Sequence, residues 1–192
     1  MIEMWTNTAM IVVDMQKDYV GPGTAPFGQA VLPCVIKAVD IARQHGVLVV
    51  WAVREHDRLG RDVELFRRRN YGRKKHGEVV RGTKGAELAD GLVITGDDYK
   101  LVKTRFSAFH STNLHSFFQA VGVKNLVVVG VQTPNCIRET VFDAVALDYE
   151  NITVITDATG AYTPEIHAAN ILDMKNVGVA TPTLKEWCQC DA

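Results

Sequence analysis

The sequence has no dominant charge, no long apolar run and few cysteines. Lys and Arg number 21 against 22 Asp and Glu, a net charge of −1. Such a balance gives no electrostatic case for nucleic-acid binding. No apolar stretch approaches the roughly 20 residues that span a bilayer. Residues 1–7 carry neither the basic nor the apolar region of a secretory signal. Four cysteines (Cys34, Cys136, Cys188 and Cys190) are too few for a disulfide scaffold in 192 residues, and their spacing is not that of a structural zinc site. The expectation is a reducing, cytoplasmic setting, no membrane and no nucleic acid, with Cys188 and Cys190 incidental. A hydrophobic content of 47% with 22% charged residues fits one globular domain over residues 1–192.

What is present is an alternation. Short β-branched runs lie at residues 9–13, 47–53, 101–102, 126–129 and 152–155, with a weaker one at 177–180. Continuous apolar runs of this kind are expected of strands buried on both faces of a parallel sheet. Helical spacing separates them, in Val31-Cys34-Val35-Ala38-Ile41-Ala42, in Leu114-Phe117-Phe118-Val121 and in Ile137-Val141-Ala144-Val145. Gly46 and Gly122 follow the first two as stops. Thr163-Pro164 supplies a cap with proline behind it, and Thr183 with Glu186 a capping box. The pattern predicts an open, doubly wound α/β sheet. Ligands bind such sheets beyond the carboxyl ends of the strands, where strand order reverses. Residues 54–98 are irregular apart from a short helical pattern near 63–69, and a loop this long is commonly a lid or binding loop.

Three residues at strand ends carry chemistry. Asp14 closes the first strand, Lys103 the third, and Cys136 follows the fourth in Gly130-Val131-Gln132-Thr133-Pro134-Asn135-Cys136. Parallel strands bring all three to one edge, where a buried Asp–Lys–Cys cluster is mutually compensating. Cys136, in the first turn of a helix, is placed for a lowered thiol pKa. In this arrangement Cys136 attacks an electrophilic carbon, Asp14 shuttles the thiol proton to the leaving group, and Lys103 holds Asp14 and the thiolate. Backbone N–H groups near Gln132–Cys136 receive the oxyanion. Spacing alone leaves each residue an alternative: Asp14 as a turn residue, Lys103 as a solvated cation, Cys136 as core. Arg54 and Arg105, at the ends of the second and third strands, are candidates to clamp a substrate carboxylate, and Tyr19, Phe27 and Phe109 to wall the pocket. The basic run Arg67 to Lys75 reads as a solvated face or a contact to a neighbouring subunit.

The motifs Val12-Val13-Asp14-Met15-Gln16-Lys17-Asp18-Tyr19, Lys103-Thr104-Arg105-Phe106-Ser107-Ala108-Phe109, Gly130 to Cys136, and Asp157-Ala158-Thr159 resemble, in that order, those of the isochorismatase-like cysteine hydrolases. That superfamily includes nicotinamidases, N-carbamoylsarcosine and ureidoacrylate amidohydrolases, and isochorismatases. The resemblance implies a three-layer, Rossmann-like sheet of six parallel strands and an Asp14–Lys103–Cys136 triad. It implies hydrolysis of an amide or ureido C–N bond through a thioester, in a homo-oligomer acting on a small molecule. It further implies a cis peptide at Val131–Gln132, and substrate contacts from Gln16, Tyr19, Arg54, Arg105, Phe109, Val131 and Gln132. Nicotinamidases carry a metal-binding Asp-x-His after the second strand. Here the stretch reads Arg54-Glu55-His56-Asp57 and the next histidine is His76, so no metal or other cofactor is expected. Nicotinamidase, isochorismatase-type hydrolase and a catalytically silent binding protein remain the alternatives.

Overall fold

A computed structural model describes residues 5–24 and 26–189 of the chain; Cys190 lies outside the described residues. Five parallel strands, β1 (Thr8–Val13), β2 (Leu48–Arg54), β3 (Tyr99–Lys103), β4 (Asn125–Val131) and β5 (Asn151–Gly160), stand in the order β3-β2-β1-β4-β5. Six helices join or flank them: α1 (Lys17–Val20), α2 (Pro26–Gln44), α3 (Leu114–Val121), α4 (Arg138–Ala146), α5 (Pro164–Asn176) and α6 (Leu184–Gln189).

The alternation of side chains across the strands divides the core in two. Met10 and Val12 of β1, with Val49, Trp51 and Val53 of β2, pack against Val31, Val35, Ala38 and Ala42 of α2 and Trp187 of α6. Ala9, Ile11 and Val13, with Val50 and Ala52, face Leu114 and Phe118 of α3, Val141 and Ala144 of α4 and Met174 of α5. Both faces of β1 are therefore covered, which accounts for its unbroken apolar sequence. The layers are helix, sheet and helix. No helix among the described residues is long and apolar enough to cross a membrane.

Helix ends follow local chemistry. Gly122 takes φ 76° at the end of α3, where a left-handed residue lets the N–H reach back to Phe118 and Gln119. The Thr163 side chain accepts the Ile166 N–H ahead of Pro164. Thr183 and Glu186 form a reciprocal capping box, at 2.7 Å and 3.3 Å. The helix read from Val31 starts earlier, at Pro26, and passes through Pro33, which sits on its exposed side.

The sixth strand is a correction. Residues 177–180 form one bridge, Thr153 to Ala180, with Val154 N–H donating to Ala180 O at 2.8 Å and Ala180 N–H to Ile152 O at 2.9 Å. Val177 caps α5, Gly178 turns at φ 91°, and Pro182, which lacks an N–H, follows four residues later. Too little extended chain remains for a strand.

Candidate active site

Strand order reverses at β1, with β2 on one side and β4 on the other. Asp14 ends β1 in the left-handed region (φ 51°), its N–H bonded to Ala52 O at 2.9 Å. Asp tolerates that conformation better than most residues. Arg54 and Lys103 close β2 and β3 in register with one another. On β4, Gly130 has φ 113°, and a Cβ there would stand 2.1 Å from Val13 O. Only glycine lets β4 run this close to β1 before the chain turns away. The Val131–Gln132 peptide is cis. A single π turn, Thr133–Ile137, closed by the Ile137 N–H to Gln132 O at 3.2 Å, then leads into α4 and carries Cys136.

These elements bring Asp14, Lys103 and Cys136 together. Lys103 is fully buried and donates to Asp14 Oδ2 at 2.9 Å and to Arg105 O at 3.3 Å. The other carboxylate oxygen, Asp14 Oδ1, is buried without a hydrogen-bond partner among the described residues. Cys136 is buried beside it. Burial pushes the thiol pKa up, the Asp14 charge adds to this, and the Lys103 and Arg54 cations oppose it. The direction is opposite to the lowering expected at a helix start: burial and the Asp14 charge outweigh both cations, and deprotonation calls for a base.

Arg54 is buried among these groups. Its Nη2 donates to Glu64 Oε1 at 2.9 Å and to Cys136 Sγ at 3.7 Å. Nη1 reaches Glu64 Oε2 at 3.3 Å and His56 Nε2 at 3.4 Å, and Nε faces Asp14 Oδ2 at 3.5 Å. Its guanidinium lies over the Phe106 ring, 5.3 Å from the centroid.

Asp14 and Cys136 open into a cavity of about 540 Å³. Tyr19, Phe27, Phe66, Phe106 and Tyr162 give it aromatic walls, and Val131 and Gln132 also line it. Arg67 is nine-tenths buried there. Its Nη2 donates to Glu78 Oε2 at 2.6 Å and to the Tyr19 hydroxyl at 3.1 Å. Its Nη1 faces Glu64 Oε2 at 3.8 Å, an ion pair too long for a hydrogen bond, and among the described residues its Nε makes no hydrogen bond.

Several expected contacts fall elsewhere. The Gln16 amide is spent on backbone: its Nε2 donates to Arg54 O (2.7 Å) and Ala86 O (2.8 Å), and its Oε1 accepts the Arg54 N–H (2.7 Å). It pins the loop to β2 and does not line the cavity. Arg105 donates to Asp62 O (2.6 Å) and Thr104 O (2.8 Å), also outside the lining. Phe109 packs in the core against Phe118 and Tyr149. Arg54 lines the cavity, but its donors are taken by protein groups. The arginine with a donor to spare, at Nε, is Arg67, read from sequence as part of a solvated run; Arg68, Arg69 and Arg73 to Lys75 are exposed. Phe66, Phe106, Tyr162 and Glu64 were not singled out either. Phe106 stands inside a recognised motif; the others carry no signal without the fold.

The residues after β2 do not fit a metal. Glu55 turns to Lys100 and Arg81, and Asp57 binds Arg61 at 2.6 Å. His56 is buried with Nε2 against the Arg54 cation, which with burial holds its pKa down to about 4; its Nδ1 lies 3.3 Å from Asp62 Oδ1 without hydrogen-bond alignment. Among the described residues no three His, Cys, Asp or Glu side chains are grouped to hold an ion. A guanidinium fills the space beside the thiol.

Residues 8–186 match the isochorismatase domain. The chain is 66% identical to an Arabidopsis thaliana protein described as a probable inactive nicotinamidase, over 98% of each chain. A crystal structure of an isochorismatase family protein from Desulfovibrio vulgaris is 37% identical, with a TM-score of 0.92 over 96% of this chain and 97% of that one. The N-carbamoylsarcosine amidase of Thermoplasma acidophilum is 25% identical, with a TM-score of 0.77 over 92% and 96% of the two chains.

Proposed function

Because the chain belongs to the isochorismatase family, we propose that this cavity is the active site of a cysteine hydrolase that cleaves a C–N bond of a small amide, ureido or carbamoyl compound. The observation that carries the reading is the buried Asp14–Lys103 pair, which clamps one carboxylate oxygen and leaves the other open beside Cys136.

The steps follow from that geometry. Asp14 takes the thiol proton as Sγ attacks the carbonyl carbon, and the carbonyl electron pair moves to oxygen. Lys103 keeps the Asp14 carboxylate in place until then. The tetrahedral intermediate collapses, the C–N bond breaks, and Asp14 returns the proton to the leaving nitrogen. Water, deprotonated by Asp14, then hydrolyses the thioester and the thiol re-forms. Aromatic walls suit a flat substrate. The Nε hydrogen of Arg67, without a hydrogen bond among the described residues, suits a carbonyl or carboxylate acceptor on it.

A second reading is a catalytically silent protein, favoured by the description of the Arabidopsis relative. That description concerns nicotinamide, and residues 54–57 lack the Asp-x-His of nicotinamidases. A screen for ammonia release from nicotinamide, ureido acids and carbamoyl amines separates the readings. Turnover of a ureido or carbamoyl compound, lost in Cys136→Ala with an unchanged melting curve, is the expected result. Full activity in Cys136→Ala would sink the mechanism, and an inert panel would favour the silent protein.

A further inference from the structure

The four Nη hydrogens of Arg54 have partners in His56, Glu64 and Cys136, and its Nε faces Asp14 Oδ2 at 3.5 Å as an ion pair. None remains for a substrate, and a guanidinium with no free donor is not a substrate clamp. The group it touches that the chemistry changes is the sulfur. Lys103, by contrast, directs its ammonium to Asp14 Oδ2 and Arg105 O. The two cations therefore divide the work: Lys103 serves the base and Arg54 the nucleophile.

We propose that Arg54 is a catalytic residue, the contact cation of the Cys136 thiolate, and that Glu64 is its positioning residue. When the S–H bond breaks and the proton passes to Asp14 Oδ1, the electron pair stays on Sγ. The Nη2 hydrogen of Arg54, 3.7 Å from sulfur to nitrogen in the resting site, becomes a charge-assisted bond to it. Glu64 grips both Nη atoms, so the fork cannot turn away. Phe106 beneath the guanidinium and the neutral His56 beside it complete the mount. Glu64 also offsets the charge it positions, and it reaches the sulfur only through the guanidinium. The pair thus places a hydrogen-bond donor at the thiolate at little net charge.

The inference rests on Cys136 as the nucleophile, but its test needs no substrate. The probe is iodoacetamide, with alkylation of the Cys136 peptide followed by mass spectrometry across pH and Cys34 as internal control. The groups that set the midpoint are Asp14, Lys103, Arg54 and, through Arg54, Glu64 and His56. Arg54→Gln should raise the midpoint most, slowing alkylation at pH 8 by about tenfold or more, the size of a one-unit shift in a thiol. Arg54→Gln/Glu64→Gln removes both charges, leaves no buried ion unpaired, and should fall between Arg54→Gln and the wild type. Glu64→Gln keeps an amide oxygen for the fork, which Phe106 and His56 also mount, and should move the midpoint down because the cation at the sulfur is then less offset. Loosening of the fold alone would move all three the same way. A double variant that coincides with the wild type, or an upward shift in Glu64→Gln, overturns the proposal; if Arg54→Gln does not fold, these two decide it. A chain that gave the expected order but hydrolysed no amide would keep this inference and lose the hydrolase reading. Turnover without the order would do the reverse.

Discussion

The carboxyl edge of the sheet and the irregular residues 55–98 contribute to one cavity by different means. At the edge, Asp14, Arg54 and Lys103 are each the last or next residue of a strand, and sheet register sets their separation. Within the loop, Glu64, Arg67 and Glu78 are held by hydrogen bonds, by a 3-10 turn over Leu65–Asn70, and by side chains reaching across from α1. Tyr19 takes the Arg67 bond, and Asp18 Oδ2 accepts the Val79 N–H at 2.6 Å, where Val79 stands at φ 46°. The first arrangement follows from parallel register; the second rests on side-chain contacts made by the loop. Chemistry on the edge and selectivity on the loop can therefore vary independently, except where Arg54 and Glu64 join them.

The sharpest way to break this contrast is to remove one charge from each region. Lys103→Met leaves Asp14 in the core with only the more distant Arg54 Nε near it. Breaking a buried pair in this way costs about 3–5 kcal/mol. Urea unfolding should show that loss together with loss of any turnover. If Lys103→Met is no less stable than a loop variant such as Arg67→Met, the edge is not the structural unit argued for.

His56 sharpens the boundary, since it begins the loop yet is as buried as the strands. Its pKa is held down to about 4 by burial and by the Arg54 cation. The unfolded chain binds a proton there below roughly pH 6.5, whereas the folded chain does not until about pH 4. Stability is therefore present above pH 6.5 and lost as pH falls towards 4, by up to roughly 3 kcal/mol if the whole shift is expressed. His56→Gln, which keeps an acceptor for Arg54, should flatten that part of the stability profile. An unchanged slope between pH 6.5 and 4.5 would show that His56 is not the group responsible.

The same division explains what could be read before the fold was known. β1, β2 and β4 announce themselves as continuous apolar runs, and residues that end such runs must gather at one edge. Asp14, Lys103 and Cys136 were visible for that reason. The thiol pKa was not, because a helix-start argument counts local dipoles and omits burial. Arg67 was misread because its neighbours Arg68 and Arg69 are solvated, and no local pattern distinguishes the one residue of a 3-10 turn that points inward. Gln16 and Arg105 sit within recognised motifs, yet their side chains are spent on backbone carbonyls.

The smallest effect expected lies in the loop. Arg67→Met removes a guanidinium whose nearer partner Glu78 has a half-exposed side chain and can rehydrate, while its more distant partner Glu64 keeps Arg54. The stability cost should be within about 1 kcal/mol, as for other partly exposed pairs. The effect on substrate is larger. Loss of the Nε donor removes a charge-assisted hydrogen bond worth about 1.5–3 kcal/mol, and hence about tenfold or more in KM. If the contact is formed equally in ground and transition states, kcat stays near its wild-type value. Steady-state kinetics on whichever ureido or carbamoyl compound the ammonia screen yields makes the measurement. A fall in kcat at constant KM would move Arg67 from the binding wall to the reacting centre, and the separation of edge chemistry from loop selectivity would fail there.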